Sequence, residues 1–268
     1  MLDSLLVLEV GHRVAVGACG GLLAQLGAEV VGLEPPTPCG KGKWRNRTAM
    51  LAGKQSLQTD GAPTDGDLQR LLAHADVVLL SSDDGLSDRT LWDAQRPASR
   101  IVCDITAFGH GGPMGGRGGE GGNIAAVSGI VETTGPAGGV PAVIGAPVLE
   151  MSAAVFGASA VMAALRVRRL HGAGQRIDVA IFDTAIHELV NFMPLHFENQ
   201  LATRSGNRHP LHVPWGSYRA SDGRIVICAI GTDHFKRVCE AIGSPEPASE
   251  ARYATSAGRL RDFAEIDA

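Results

Sequence analysis

Glu150 combines a reactive side chain with a position at the start of a helix. It opens a stretch of small apolar residues that is typical of a buried helix, and the stretch ends at Gly172-Ala173-Gly174-Gln175 before a strand-like run. A carboxylate in a first helical turn is kept ionised and oriented by the helix dipole and the free N–H groups. Held in this way, Glu150 can act as a nucleophile, although a glutamate there is also a common stabilising choice.

Glu120 is a second carboxylate in an unusual setting. The segment from Phe108 to Gly122 reads FGHGGPMGGRGGEGG and contains nine glycines among fifteen residues. Ordering so many glycines costs backbone entropy, so we expect a loop rather than a helix or strand. A solvated charge is the simplest interpretation of Glu120 in such a loop.

Short apolar runs alternate with helical patterns along most of the chain. The predicted strands are residues 5–10, 28–33, 77–80, 100–104 and 175–181, and the predicted helices are residues 17–26, 67–75, 123–131, 150–170 and 183–192. Strands separated by helices favour a parallel sheet that is covered on both faces. We therefore predict an α/β fold, built as a Rossmann-like parallel sheet with helices on both faces.

The pattern changes after Pro194, where the chain becomes polar. Further on, the sequence predicts a hairpin around a Ser221-Asp222-Gly223 turn and a helix from Asp233 to Ile242. We therefore expect a large domain over residues 1–198 and the start of a smaller α+β domain over residues 199–268.

Composition and charge exclude several classes of protein. The chain of 268 residues has a net charge of -4 and 44% hydrophobic residues, which is typical of a globular protein and gives no field that would attract nucleic acid. Its five cysteines form no CxxC pair, and no histidine spacing indicates a metal site. The N-terminal stretch MLDSLLVLEV has an acid where a signal peptide needs basic residues. No uninterrupted run reaches 18 apolar residues. We therefore expect a cytoplasmic protein without a membrane segment.

The first strand-helix-strand unit raises the question of nicotinamide dinucleotide binding. Glu34 follows the second strand, where an acid would bind the ribose hydroxyls. However, the G-x-G-x-x-G fingerprint is incomplete, because Gly17 and Gly20 are correctly spaced but Gly11 is not. The sequence also lacks a GxxxxGK[ST] phosphate loop. The glycine pattern therefore does not support a nucleotide-binding function of either kind.

Seven segments together resemble a known family. They are VLEVGHRVAVGACGGLLAQLGAEVVGLE (7–34), ADVVLLSSDDGLSDR (75–89), RIVCDITAFGHGGP (100–113), the run from Asn123 to Gly135, the run from Gly145 to Asp183, the run from Tyr218 to Gly243, and ARYATSAGR (251–259). In order and spacing they resemble the class III coenzyme A transferases, or CaiB/BaiF family, over essentially the whole chain. The resemblance implies an interlocked homodimer or a heterodimer with a paralogue. Family chains usually run well past this length, so the second domain is expected to be incomplete.

The resemblance also implies a reaction. In the family an aspartate attacks the acyl-CoA thioester, and Glu150 occupies that position. An acyl-CoA:carboxylate CoA-transferase of this kind forms an acyl-glutamyl anhydride and releases the CoA thiolate, so its substrates are an acyl-CoA and a carboxylic acid, and no tightly bound cofactor is expected. Glutamate is one methylene longer than aspartate, and a shift of about 1 Å costs on the order of a hundredfold in rate.

Two alternatives follow from the same resemblance. Alpha-methylacyl-CoA racemases belong to the family and pair the acidic position with a histidine that falls at Glu120, so Glu120 and Glu150 could exchange a proton at the acyl α-carbon. The second alternative is a catalytically degenerate CoA-transferase-like subunit. Ser81-Ser82, Val16-Gly17 and Gly121-Gly122 stand where the family often has other pairs, and these departures predict an altered substrate or a degenerate site.

The resemblance assigns six residues to the coenzyme A site: Arg89, Arg13, Ala15, His12, Phe108 and Gly109. Arg89 matches the arginine that meets the CoA phosphates, a task that suits a guanidinium fork. Arg13 and Ala15 match positions whose backbone faces the adenine and pantetheine end, and the side chain of Arg13 could add a phosphate contact. No metal ligand is expected.

Overall fold

The computed structural model of the chain describes residues 1–34, 50–58, 66–83, 97–199 and 203–268. These residues form two compact units. Unit 1 comprises residues 1–128 and 144–187, and unit 2 comprises residues 129–143 and 188–268.

Both units contain strands and helices. In chain order they are β1 (Leu6–Val10), α1 (Val14–Gln25), β2 (Glu29–Glu34), β3 (Gln55–Gln58), α2 (Gly66–His74), β4 (Val77–Leu80), β5 (Ile101–Thr106), α3 (Gly121–Ser128), α4 (Ile130–Thr133), α5 (Val148–His171), β6 (Arg176–Ala180), α6 (Ile181–Glu188), α7 (Met193–Phe197), β7 (Trp215–Arg219), β8 (Arg224–Cys228), α8 (Thr232–Ala241), α9 (Ser256–Arg261) and α10 (Phe263–Ile266).

Unit 1 is built on a parallel sheet with the strand order β3-β2-β1-β4-β5-β6. Leu8 and Val10 of β1 share one apolar cluster with Leu72 of α2. Side chains alternate between the faces of a strand, so Glu9 lies on the opposite face, where it contacts Gly20 of α1. Helices therefore cover both faces, and the predicted α/β fold with a Rossmann-like parallel sheet is confirmed.

Helix α5 packs against the sheet through its small residues. Gly157 lies so close to β5 that a Cβ atom there would be 3.1 Å from Ile105 Cδ1 and 3.3 Å from Cys19 Sγ of α1. By length and composition α5 is also apolar enough to cross a membrane. The burial of Ala153, Ala154 and Val161 along the same side of the helix accounts for that apolar character within the core of unit 1.

Three local features differ from the sequence predictions. Strand β3 was not predicted, because its polar sequence QSLQ lacks the apolar pattern of a buried strand. The predicted helix over residues 123–131 is divided into α3 and α4 by Gly129, which adopts a φ of 91°. The glycine-rich loop ends sooner than expected, since Gly121 and Gly122 already belong to α3.

Unit 2 contains a small antiparallel sheet and short helices. The predicted hairpin is confirmed: β7 pairs with β8, and the Ala220 N–H donates to the Gly223 carbonyl at 2.9 Å across the turn. The predicted helix is confirmed as α8, whose Phe235 and Cys239 are buried together with Tyr253.

Candidate active site

The candidate site lies where the strand order of the sheet reverses. Strands β2 and β4 pair with β1 on its two sides. Because all three strands are parallel, the chain leaves β1 and β4 at the same edge of the sheet. Arg13 follows β1, and Ser81 and Asp83 follow β4. In open α/β sheets, ligands bind in the crevice outside the carboxyl ends of the strands at such a switch point.

Glu150 is held at the N-termini of two helices. It lies in the first turn of α5, and its Oε2 accepts a hydrogen bond at 3.0 Å from the N–H of Ala15 in the first turn of α1. Its Oε1 accepts at 2.9 Å from Nη1 of Arg13. Each carboxylate oxygen carries two lone pairs, so these two bonds orient Glu150 without using all of its acceptor capacity. The carboxylate therefore has a defined geometry and can still form a bond to a substrate.

Arg13 links Glu150 to the end of β4. Its Nε donates to Ser81 Oγ at 3.0 Å, and its Nη2 lies 3.1 Å from both carboxylate oxygens of Asp83. Nη2 also donates to the carbonyl of Gly119 at 3.2 Å. The side chains of Arg13, Asp83 and Glu150 are only 8%, 4% and 9% exposed, so the three charges form a buried triad.

The two acidic candidates differ in burial. Burial raises the pKa of Glu150, while the positive charge of Arg13 and the N–H of Ala15 act in the opposite direction. The carboxylate of Glu120 also raises the pKa of Glu150, which places the two acids within electrostatic reach of each other. Glu120 itself is exposed and precedes α3, where its carbonyl accepts from the Ile124 N–H at 3.1 Å.

The remaining predicted site residues occupy neighbouring loops of unit 1. His12 is half-buried between β1 and α1. Phe108 packs on Phe182 with ring centroids 5.8 Å apart, and Gly109 turns the chain after β5 with a φ of 73°. Arg89 lies outside the described residues. The structure thus brings Glu150 together with Arg13 and the Ala15 backbone.

A family model for CoA-transferase family III matches residues 2–268 of the sequence. The chain belongs to CoA-transferase family III. Membership agrees with the Rossmann-like fold of unit 1 and confirms the resemblance drawn from the sequence segments.

Individual relatives within CoA-transferase family III have assigned activities. The chain is 31% identical over 285 residues to succinyl-CoA–D-citramalate CoA-transferase of Chloroflexus aurantiacus, a match that covers 99% of this chain and 71% of the relative. It is 30% identical over 280 residues to acetyl-CoA:oxalate CoA-transferase of Acetobacter aceti, which covers 96% of this chain and 71% of the relative.

Solved structures lead to the same family. A CaiB/BaiF family protein from Brucella suis matches with a TM-score of 0.79 and 30% identity over 99% of this chain and 76% of the other. Rv3272 from Mycobacterium tuberculosis matches with a TM-score of 0.81 and 28% identity over 99% of this chain and 75% of the other. The fold and the relatives therefore assign this family III chain to the enzymes that transfer coenzyme A, with CoA thioesters as substrates.

The sequence interpretation of this family III site missed Asp83. Its carboxylate accepts from the Ala107 N–H at 2.7 Å and from the Ser81 hydroxyl at 2.7 Å, so it is fixed to both β4 and β5 while it binds Arg13. A signal was available, because β1 and β4 were both predicted and the ends of neighbouring parallel strands meet. A basic residue after one and an acidic residue after the other indicate an ion pair.

A second polar cluster in the family III chain follows β5. Asp104, His110 and Asp178 have potential ligand atoms within 4.8 Å of one another. Arg176 already lies among them, with Nε 2.9 Å from Asp178 Oδ1 and Nη2 3.4 Å from Asp104 Oδ2. A guanidinium in this position neutralises the carboxylates as a bound cation would, so we interpret the cluster as an ion-pair network that fixes the glycine-rich loop.

Proposed function

We propose that this enzyme moves coenzyme A between carboxylic acids through an acyl-glutamyl anhydride on Glu150. The geometry of the Glu150 carboxylate carries the proposal. It lies at two helix N-termini, is oriented by Arg13 and the Ala15 N–H, and retains acceptor capacity on both oxygens. His12, Phe108 and the loop after β5 lie in the same unit, and we assign them to the coenzyme crevice.

The chemistry balances without an external base or oxidant. A Glu150 oxygen forms a bond to the thioester carbonyl carbon, the C–S bond breaks, and the CoA thiolate leaves with the electron pair. The thiolate then attacks the Glu150 carboxyl carbon, which gives a glutamyl thioester and releases the donor acid as a carboxylate. The acceptor carboxylate then attacks the glutamyl thioester, which gives a new anhydride and releases the CoA thiolate. The thiolate attacks the acyl carbonyl carbon of that anhydride, so the new acyl-CoA leaves and the Glu150 carboxylate is regenerated.

The substrates we propose are acyl-CoA esters of dicarboxylic acids. The names of several relatives pair succinyl-CoA or succinate with citramalate, mesaconate, glutarate or malate, which are all dicarboxylic acids. The test incubates the purified chain with succinyl-CoA and isotopically labelled glutarate, oxalate, mesaconate or butyrate, and measures label in the CoA ester pool. Labelled dicarboxylyl-CoA is expected. Preferred labelling of butyryl-CoA would contradict the substrate class, and no labelling with any acid would contradict transfer.

The pH dependence of transfer follows from the burial of Glu150. The ionised carboxylate is the nucleophile, and it is lost as the pH falls through a pKa that burial holds above its ordinary value of 4.5. We therefore expect kcat to fall on the acid side with a midpoint above pH 4.5. The check is a kcat profile over the pH range in which circular dichroism shows a folded protein. A rate that stays constant down to the ordinary glutamate pKa would contradict this assignment.

Racemisation is a second candidate function, which the effect of the Glu120 charge on the pKa of Glu150 favours. One carboxylic acid would donate a proton to the acyl α-carbon while the other carboxylate removes one from the opposite face. Proton NMR in heavy water distinguishes the two reactions. Deuterium at the α-carbon without an acceptor acid indicates racemisation, and an unchanged α-proton signal during CoA exchange excludes it.

We also propose that the active form is a homodimer. One relative is named as the beta subunit of a succinyl-CoA–L-malate CoA-transferase, so a heterodimer is the alternative assembly. Sedimentation of the purified chain together with its exchange rate tests both assemblies. An active dimer of the single chain supports the homodimer, whereas activity that requires a second polypeptide supports the heterodimer.

A further inference from the structure

We infer that Arg13 is a positioning residue for Glu150 rather than a ligand of coenzyme A, and that Asp83 holds Arg13 in place while Glu150 is acylated. The inference deepens the proposed function and rests on it. It assigns Arg13 a role that differs from the phosphate contact expected from the sequence, and it assigns a role to Asp83, which the sequence did not single out.

The hydrogen bonds of Arg13 leave little capacity for a ligand. All three guanidinium nitrogens already donate to protein atoms: Nε to Ser81, Nη1 to Glu150, and Nη2 to Asp83 and Gly119. The side chain is 8% exposed. A phosphate could bind Arg13 through two N–H groups only if it displaced one of these partners, and a displaced carboxylate would lose the cation that offsets its desolvation.

Asp83 matters because acylation changes the charge of Glu150. Before the reaction, the cation of Arg13 lies between two carboxylates. When Glu150 becomes an anhydride or a thioester it is neutral, and a buried guanidinium with no other carboxylate would be costly. Asp83 keeps Arg13 paired throughout, and Ala107 N–H and Ser81 Oγ hold Asp83 to the ends of β5 and β4. The arginine therefore remains in place to receive the Glu150 carboxylate when it is regenerated.

The electrostatics of the triad are consistent with this role. Burial by itself lowers the pKa of Arg13, but the carboxylates of Glu150 and Asp83 outweigh burial, so the pKa is raised and the group stays charged. Glu120 adds a negative charge near Glu150 and opposes its ionisation. Arg13 is thus the cation that favours the ionised form of Glu150, while burial and Glu120 oppose it.

The test replaces Arg13 with glutamine and separates kcat from KM. For Arg13→Gln we expect kcat to fall about a hundredfold, because Glu150 loses its orientation, while the KM for succinyl-CoA changes little. The acid limb of the kcat profile should move to higher pH, since the cation that favours ionised Glu150 is gone. Arg13→Lys keeps the positive charge, but one ammonium group cannot contact Ser81, Asp83 and Glu150 together. An intermediate kcat is therefore expected. Arg166→Gln, an exposed change on α5, is the matched control and should leave both constants unaltered.

The outcomes separate this inference from the proposed function. A raised KM with an unchanged kcat and pH profile would assign Arg13 to coenzyme binding and overturn the inference, while CoA transfer itself would stand. The double variant Arg13→Gln/Asp83→Asn avoids an unpaired Asp83 and provides a folded reference if the single variant unfolds. If the wild-type chain shows no CoA exchange, carbon-13 NMR titration of labelled glutamate carboxyl groups still tests the role of Arg13. The pKa of Glu150 must rise in the double variant, and an unchanged pKa contradicts the positioning role.

Discussion

Replacing Glu150 with glutamine is expected to reduce CoA exchange by at least about a thousandfold while the protein stays folded. An amide cannot form the anhydride. Glutamine has nearly the same shape, but its NH2 group must face one of two donors, Arg13 Nη1 or the Ala15 N–H. The variant should therefore lose about 1–3 kcal/mol of unfolding free energy, which urea denaturation can measure.

Glu150→Asp is the informative companion to this variant. It keeps a carboxylate in the first turn of α5, but the side chain is one methylene shorter and cannot contact Arg13 and Ala15 with the same geometry. We expect a loss on the order of a hundredfold, clearly less than for glutamine. Equal loss in both variants would indicate that Glu150 orients the site rather than reacting, and no loss in either variant would exclude it as the nucleophile.

The largest expected effect on stability comes from Gly174→Ala. A Cβ atom at this position would overlap the carbonyl oxygen of Arg100 and lie 2.6 Å from the carbonyl carbon of Ser99. These are backbone atoms, so the segment before β5 must move away from Gly174, whose N–H donates to the Ala98 carbonyl at 2.7 Å. Arg100 is 2% exposed and bonds through its side chain to the carbonyls of Leu72 and Ala75, so the displacement reaches the core.

We expect Gly174→Ala to cost about 3 kcal/mol of unfolding free energy, at the upper end of overpacking effects. The measurement is the urea midpoint and slope of the purified variant. Gly145→Ala is the matched control in the same unit. Among the described residues, and apart from its chain neighbours, no atom lies within 4 Å of its Cβ position, so its midpoint should stay close to wild type. A Gly174→Ala variant as stable as Gly145→Ala would show that the two backbone segments separate easily.

The fold was predictable because buried parallel strands and their helices have simple apolar patterns. Strand β4 was predicted with its observed bounds, and α5 to within two residues at its start. Strand β3 was missed because it is polar and lies at the edge of the sheet, where burial imposes no pattern. The break at Gly129 depends on one backbone angle that composition alone does not indicate.

The site was predictable only in part. The helix-start position and the family resemblance both singled out Glu150, and the structure adds its two donors. The partners of Arg13 could not be inferred one residue at a time, because Ser81 and Asp83 reach it only through the pairing of β1 with β4. A lone arginine in a loop is equally consistent with a phosphate ligand, and the burial that distinguishes the two roles is a property of the folded chain.

Trapping of the covalent intermediate tests the central claim most directly. The chain is incubated with succinyl-CoA and hydroxylamine, digested, and mapped by peptide mass spectrometry. The account predicts a hydroxamate on Glu150 that requires the acyl-CoA and is absent from Glu150→Gln. Continued CoA exchange in the wild-type protein with no modification at Glu150, or with the adduct on another residue, would contradict it.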